Sequence, residues 1–279
     1  MDPDYHTDSS PEGGHAPMDR DELMRRTGPL YPALVALRQL TYAPALGQAI
    51  PTREDAQRAA PWFPAVGGLV GGLLALLALL VLEIGLVPAI AGALVIAAAT
   101  FVTGALHERG FARSIEARVG STYGQTALGL YGVVSIIALL ATRGVLLLGI
   151  DPSAWIGAII ISQMILRWTP LFLQRVGDPL GEAPAGARSL LVGPVSWIGL
   201  GLGSGFVVVV AILFAGWTGV LALAVAAAIA FVVGLYYEKR EGGLTADSLG
   251  AASVVTELAV LLCFAAAAAA TSSPWVSFP

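Results

Sequence analysis

Long uncharged runs, rather than short alternations, set the pattern of this chain. Residues 59–82, 84–106 and 119–142 contain no Asp, Glu, Lys or Arg, and a shorter uncharged run covers 152–166. A helix needs ~20 apolar residues to cross a bilayer, so these runs predict four spans. The next run, 189–237, holds 49 uncharged residues, enough for two crossings with a turn at Gly216-Trp217-Thr218-Gly219. A seventh span is predicted over 249–270 and carries one charge, Glu257. Strands of a membrane barrel would instead alternate polar and apolar residues in segments of about ten. The pattern therefore predicts an all-α, polytopic integral membrane protein with about seven transmembrane helices.

Residues 29–50, PLYPALVALRQLTYAPALGQAI, are apolar but interrupted by Arg38 and three prolines. Together with the polar residues up to 58 they predict an N-terminal interfacial, amphipathic segment rather than an eighth crossing. Residues 1–28 read as a disordered acidic tail, rich in Pro, Gly, Ser and Asp, without the basic start and short apolar core of a signal peptide. His6 and His15 in that tail read as solvated side chains, with weak metal chelation the alternative. The transmembrane domain is assigned to 59–272 and a short C-terminal tail to 273–279. Gly67, Gly68, Gly71 and Gly72 on the first span, and Gly199, Gly201, Gly203 and Gly205 on the fifth, supply small faces for close helix packing. A groove for lipid or ligand is the alternative there.

Composition adds the medium and the sidedness. With 56% hydrophobic and 12% charged residues and a mean hydropathy of +0.77, a soluble globular domain is excluded. Six of the 15 Lys/Arg and nine of the 19 Asp/Glu fall in residues 1–58, so the remaining charges are few enough to be placed one by one. Arg53 and Arg58 precede span one; Arg109, Arg113 and Arg118 follow span two; Arg143 alone follows span three. Arg167, Arg175 and Arg188 follow span four, and Lys239 and Arg240 follow span six, while the 216–219 turn and the C-terminal tail have none. Positive charge concentrates on cytoplasmic loops, so this alternation predicts a multi-pass protein of the cell's inner or plasma membrane, N-terminus cytoplasmic and C-terminus outside. A net charge of −4 without a basic block argues against a nucleic-acid partner. The single cysteine, Cys263, allows neither an internal disulfide nor a cysteine metal site.

Three polar connections, 107–118, 167–188 and 238–247, then fall on the cytoplasmic face and outline one site. In HERGFARSIEAR (107–118), His107, Glu108 and Glu116 are candidate ligands for a divalent cation, and Arg109, Arg113 and Arg118 candidate phosphate partners, with a plain topology signal the alternative for the arginines. In EKREGGLTADSLGA (238–251), Gly242 and Gly243 let backbone N–H groups approach a phosphate ahead of a helix capped by Thr245 or Asp247; a simple N-cap accounts for the same residues. Glu257 lies ten residues beyond Asp247, about 15 Å deeper in a regular helix. A carboxylate there costs on the order of 2.5–3.5 kcal/mol on insertion scales and needs a cation or polar cavity, so it is either functional or structurally paired. Arg167, near the end of the short fourth span, is the first candidate partner.

Four stretches resemble the cobalamin-5′-phosphate synthases, or adenosylcobinamide-GDP ribazoletransferases. ALRQLTYAP (36–44) is similar to the family's A-L-x-F-L-T-R-L-P, with Tyr42 in place of Arg, and WFPAVGGLVG (62–71) to W-F-P-L-V-G-L-L-L-G. TGALHERGFAR (103–113) resembles T-G-A-L-H-L-D-G-L-A-D, and GGLTADSLGA (242–251) resembles G-G-x-T-G-D-T-L-G-A. Arg109 and Arg113 stand at two of the family's aspartates and Glu116 at a third acidic position. Gly124, Gln125, Thr126 and Ala127 replace a charged K-D-S-R run, with Gly129 and Gly132 kept around Tyr131. Ala246 and Val254 also depart from the family pattern, while Thr245, Asp247 and Glu257 agree with it.

The resemblance implies an enzyme that joins α-ribazole or its phosphate to adenosylcobinamide-GDP with release of GMP, late in cobalamin assembly. It implies corrinoid and nucleotide substrates, Mg²⁺ as cofactor and the bilayer as surroundings, and it leaves room for a homo-oligomer. Asp247, Glu257 and His107 are the implied catalytic residues; Asp247, Glu257, Glu108 and Glu116 the metal ligands; Gly242, Gly243, Thr245 and Arg167 the phosphate contacts. Arginine repels a metal ion where aspartate would hold it, and can bind phosphate bidentately instead. The competing expectation is a catalytically impaired relative that binds a nucleotide or corrinoid, or moves a small molecule.

Overall fold

The computed structural model describes residues 20–42, 51–119, 128–181 and 188–272. The acidic tail to residue 19 with His6 and His15, the second half of the expected interfacial helix, the run Gly124 to Ala127 and the C-terminal tail lie outside the described residues. Among the described residues the elements are helices: α1 (Arg20–Thr27), α2 (Tyr31–Leu40), α3 (Arg53–Ala59), α4 (Phe63–Glu83), α5 (Pro88–Thr103), α6 (Leu106–Arg118), α7 (Leu130–Leu148), α8 (Trp155–Val176), α9 (Trp197–Glu241) and α10 (Ala246–Ser272). Residues 20–27, read from sequence as the end of the tail, are thus helical. Helix α3 starts on a capping box, Thr52 Oγ1 accepting from the Asp55 N–H and Asp55 Oδ2 accepting from the Thr52 N–H.

Among the described residues five helices are long and apolar enough to cross a membrane, six when the bent pair α5–α6 counts as one span. The expected seven are reconciled by α9, which reverses at Gly216, where φ is 53° and ψ −132°. A Cβ at Gly219 would stand 2.5 Å from the Ala211 carbonyl oxygen, so the two arms, 197–215 and 217–241, lie side by side. The turn therefore falls where the Gly-Trp-Thr-Gly sequence placed it.

Helix α8 is the central element, buried almost throughout from Gly157 to Leu171. On α4, Gly67 and Gly71 meet its backbone: a Cβ at Gly67 would lie 2.6 Å from Gln163 O, and one at Gly71 2.7 Å from Ile160 Cα. Gly72, Gly201 and Gly205 face open space, so only part of each glycine stripe serves packing. Opposite α4, α10 joins α8 through Thr169 Oγ1 and Thr256 Oγ1, 2.7 Å apart.

The expected second and third spans differ from the structure. Helix α5 stops at Thr103, and Gly104 (φ 61°) and Ala105 (φ 52°) turn the chain by 85° into α6. A non-glycine residue in this left-handed region costs about 1–3 kcal/mol. In return the T-G-A-L-H run directs the first turn of α6 into the bundle. Helix α7 begins eleven residues after the predicted start at 119 and continues six residues past Thr142, which puts Arg143 within the helix.

Candidate functional site

The bend and the crossing of α6 with α10 create the polar centre. Gly110 and Gly250 touch where the helices cross, a Cβ at Gly250 falling 3.0 Å from Gly110 Cα. That approach is close enough for Glu108 and Glu257 to share one cation. Arg143 donates from Nη1 to Glu108 Oε1 at 2.5 Å and from Nε to Glu257 Oε2 at 2.9 Å, with Nη2 also on Glu257 Oε2. Gln163 Nε2 donates to Glu257 Oε1 at 3.0 Å, and Arg167 Nη1 donates to Gln163 Oε1 at 3.0 Å and to Gln163 O at 2.9 Å. A continuous chain, Glu108–Arg143–Glu257–Gln163–Arg167, thus runs through α6, α7, α10 and α8.

All of it is buried: Arg167 is 0% exposed, Glu108 and Glu257 2%, Arg143 5% and Gln163 6%. Two carboxylates meet two guanidiniums, so the centre is close to electroneutral. This is the arrangement that charges removed from water require, with pairing and hydrogen bonding together. A pocket of about 30 Å³ beside Arg143, Gln163 and Glu257, lined elsewhere by Val95, Ile96 and Leu261, leaves room for about one water.

The Arg167 end is less complete. Arg167 Nε and Nη2, both ring nitrogens of His107 and Glu108 Oε2 are buried without a hydrogen-bond partner. Arg167, Glu108, Arg143 and Arg188 all lie within electrostatic reach of the His107 ring. Arg188 Nη2 donates to Thr103 O at 2.7 Å and its guanidinium lies 3.9 Å over the Tyr42 ring, while Nε and Nη1 are buried without partners. Burial pulls the Arg188 pKa below its ordinary value; the Tyr42 phenol opposes the fall and nearby Arg109 adds to it.

The other expected site residues do different work. Glu116 Oε1 accepts the Gly132 N–H at 2.6 Å, the third residue of α7, and so caps that helix from a neighbouring one. Asp247 faces Arg113, Oδ1 to Nη1 3.8 Å, with both side chains substantially exposed. Thr245 caps α10 by a reciprocal pair with Ser248, Thr245 N to Ser248 Oγ 2.7 Å and Ser248 N to Thr245 Oγ1 3.1 Å. Gly242 ends α9 with φ 79°. Gly243 sits against Leu180 and Asp178, where Leu244 pairs with the 178–180 segment, Leu180 N to Leu244 O 2.7 Å and Leu244 N to Asp178 O 2.8 Å.

His107, Glu108, Arg167 and Glu257 are therefore brought together, whereas Glu116, Asp247, Thr245, Gly242 and Gly243 hold helix ends or a turn. The four expected metal ligands do not converge: two share Arg143, one caps α7 and one faces Arg113. Among the described residues no group of three or more His, Cys, Asp or Glu side chains could hold a metal ion. These residues do not fit a carboxylate-bound Mg²⁺. Glu257 pairs directly with Arg143 and reaches the expected partner, Arg167, only through Gln163. Arg143, Gln163 and Arg188 are the residues that sequence reasoning missed. The apolar stretch after Arg143, GVLLLGI, signalled that this arginine lies inside a span rather than at its end.

Comparison with known proteins gives the following. The family model described as cobalamin-5-phosphate synthase matches residues 32–265. The adenosylcobinamide-GDP ribazoletransferase of Stutzerimonas stutzeri is 31% identical over 252 residues, 84% of this chain and 97% of that protein. Those of Leptothrix cholodnii and Acinetobacter baumannii are each 29% identical, over 82% and 84% of this chain and 92% and 96% of theirs. No solved structure matches.

Proposed function

The chain belongs to the cobalamin-5-phosphate synthase family, and from that membership we propose that it is an adenosylcobinamide-GDP ribazoletransferase of the cell membrane. The reaction joins a hydroxyl of α-ribazole, or of its phosphate ester, to the corrinoid-linked phosphorus of adenosylcobinamide-GDP. A new P–O bond forms, the bond to GMP breaks, and GMP leaves with the electron pair. The observation that carries the assignment is the buried chain from Glu108 to Arg167, which ends on unpartnered donors beside His107, a residue of the T-G-A-L-H motif.

In this reading His107 takes the proton of the attacking hydroxyl and Arg167 steadies charge on the phosphoryl oxygens, as general-base and electrostatic catalysis require. Glu257 and Gln163 are positioning residues that orient Arg167, and Thr245 and Asp247 organise the start of α10. Lysine and arginine placement supports a cytoplasmic N-terminus and an external C-terminus. The purified protein in detergent, given adenosylcobinamide-GDP and α-ribazole phosphate with and without Mg²⁺, should release GMP and form a corrinoid product. Tight substrate binding without product would favour an impaired, binding-only member, the reading that Arg109 and Arg113 in the acidic motif keep in view. Neither binding nor product would overturn both.

A further inference from the structure

Resting on the transferase reading, we propose that this chain holds the substrate's diphosphate with Arg167 and Arg188 beside His107 and Arg109 beside Arg188, with no divalent cation between protein and phosphate. The donors come first. Two nitrogens of Arg167, two of Arg188 and both of His107 are buried without partners, and Arg167 and His107 are fully inaccessible. Unsatisfied buried donors are costly, more so when charged, and the phosphate oxygens of a bound diphosphate supply the acceptors that the four arginine nitrogens lack; His107, a neutral base, adds one donor and keeps its other nitrogen to accept.

The charges agree. Arg188 is fixed by Thr103 O and the Tyr42 ring, which aims a guanidinium rather than leaving it mobile. Arg109 is half-buried and tethered at its own helix start, Nε to Ala105 O 3.4 Å. Like charges gathered this way repel until an anion arrives. Of the carboxylates expected to hold a metal, Glu108 Oε1 and both Glu257 oxygens accept from Arg143 or Gln163, Glu116 Oε1 accepts from the Gly132 N–H, and Asp247 lies 3.8 Å from Arg113. Glu108 Oε2, buried without a hydrogen-bond partner, lies in the field of Arg143 and Arg167, which disfavours a cation there, and it would instead accept a proton-bearing group of the ligand. Arginine forks thus occupy the role that a metal ion plays elsewhere in phosphoryl transfer.

The test uses the full chain in neutral detergent and radiolabelled GDP in equilibrium dialysis. GDP should bind in EDTA with a dissociation constant within about threefold of that in Mg²⁺. Arg188→Gln and Arg167→Gln should each weaken binding about 10- to 100-fold, and Arg109→Gln about tenfold, in proportion to lost charge-assisted hydrogen bonds. Arg58→Gln, which removes an exposed ion pair with Glu54, should change nothing. Loss of binding in EDTA, or undiminished binding by Arg188→Gln, overturns the proposal. If arginine variants fail to elute as folded protein, the EDTA comparison on the unaltered chain decides alone. Phosphatidic acid added to the micelles should leave GDP bound; stoichiometric displacement would assign the site to lipid phosphate and overturn the nucleotide assignment. Corrinoid product in Mg²⁺ together with loss of GDP binding in EDTA refutes this inference alone, whereas EDTA-resistant GDP binding without any corrinoid product refutes the transferase reading alone.

Discussion

Two buried arginines, one on α7 and one on α8, behave in opposite ways. Arg143 is enclosed by Glu108 and Glu257 and spends its donors on them. Arg167, at the other end of the same chain of contacts, spends one nitrogen on Gln163 and leaves two without partners. Burial alone does not separate a structural cation from a ligand-binding one. The count of satisfied donors does, because a buried charge is tolerated when every polar atom is met and is otherwise kept at a cost.

Removing Arg143 should break this contrast most severely. Arg143→Leu leaves Glu108 and Glu257 facing each other in the bundle, and a loss of about 3–5 kcal/mol is expected, seen as a collapse of Tm in detergent or as failure to purify folded protein. Arg167→Gln should instead cost about 100-fold in kcat/KM with a smaller fall in Tm than Arg143→Leu, since only one of its three guanidinium nitrogens bonds within the fold. Equal Tm losses for the two would erase the distinction.

Gly250→Val tests how the network is assembled. Its side chain would meet Gly110 Cα, which lies 3.0 Å from a Cβ at this position. Separating α6 from α10 should cost about 1–3 kcal/mol, and activity should fall with it as Glu108 draws away from Arg143. The smallest effect is expected at Thr245→Ala, a lost N-cap of ~1 kcal/mol. A loss of activity beyond what that stability loss explains would return Thr245 from helix cap to phosphate contact, with kcat/KM at a temperature well below Tm as the measurement.

Much of the site was legible at the level of membership. His107, Glu108, Arg167 and Glu257 stand out because ionisable groups inside or beside apolar runs demand partners. Their pairing was not legible. Arg143 closes an uncharged run and so reads as a loop residue, although seven residues without charge follow it before Asp151. Gln163 carries no charge and gives no signal within an apolar helix, yet it joins Glu257 to Arg167. Arg188 gains its meaning only from Thr103 and Tyr42, 85 and 146 positions away in the chain. Glu116 reads as a ligand from its neighbours and serves as a helix cap because α7 begins beside it.

Hydropathy alone determined the medium, the helical class, the approximate spans and the reversal at Gly216, because the cost of placing a polar group in lipid is local and is written residue by residue. The tertiary structure decided which charges meet. That depends on the 85° bend between α5 and α6, on the glycine contact between α6 and α10, and on the depth at which four helices present their side chains. Ion pairing and metal binding are properties of distances between helices, and no run of residues along one helix encodes them.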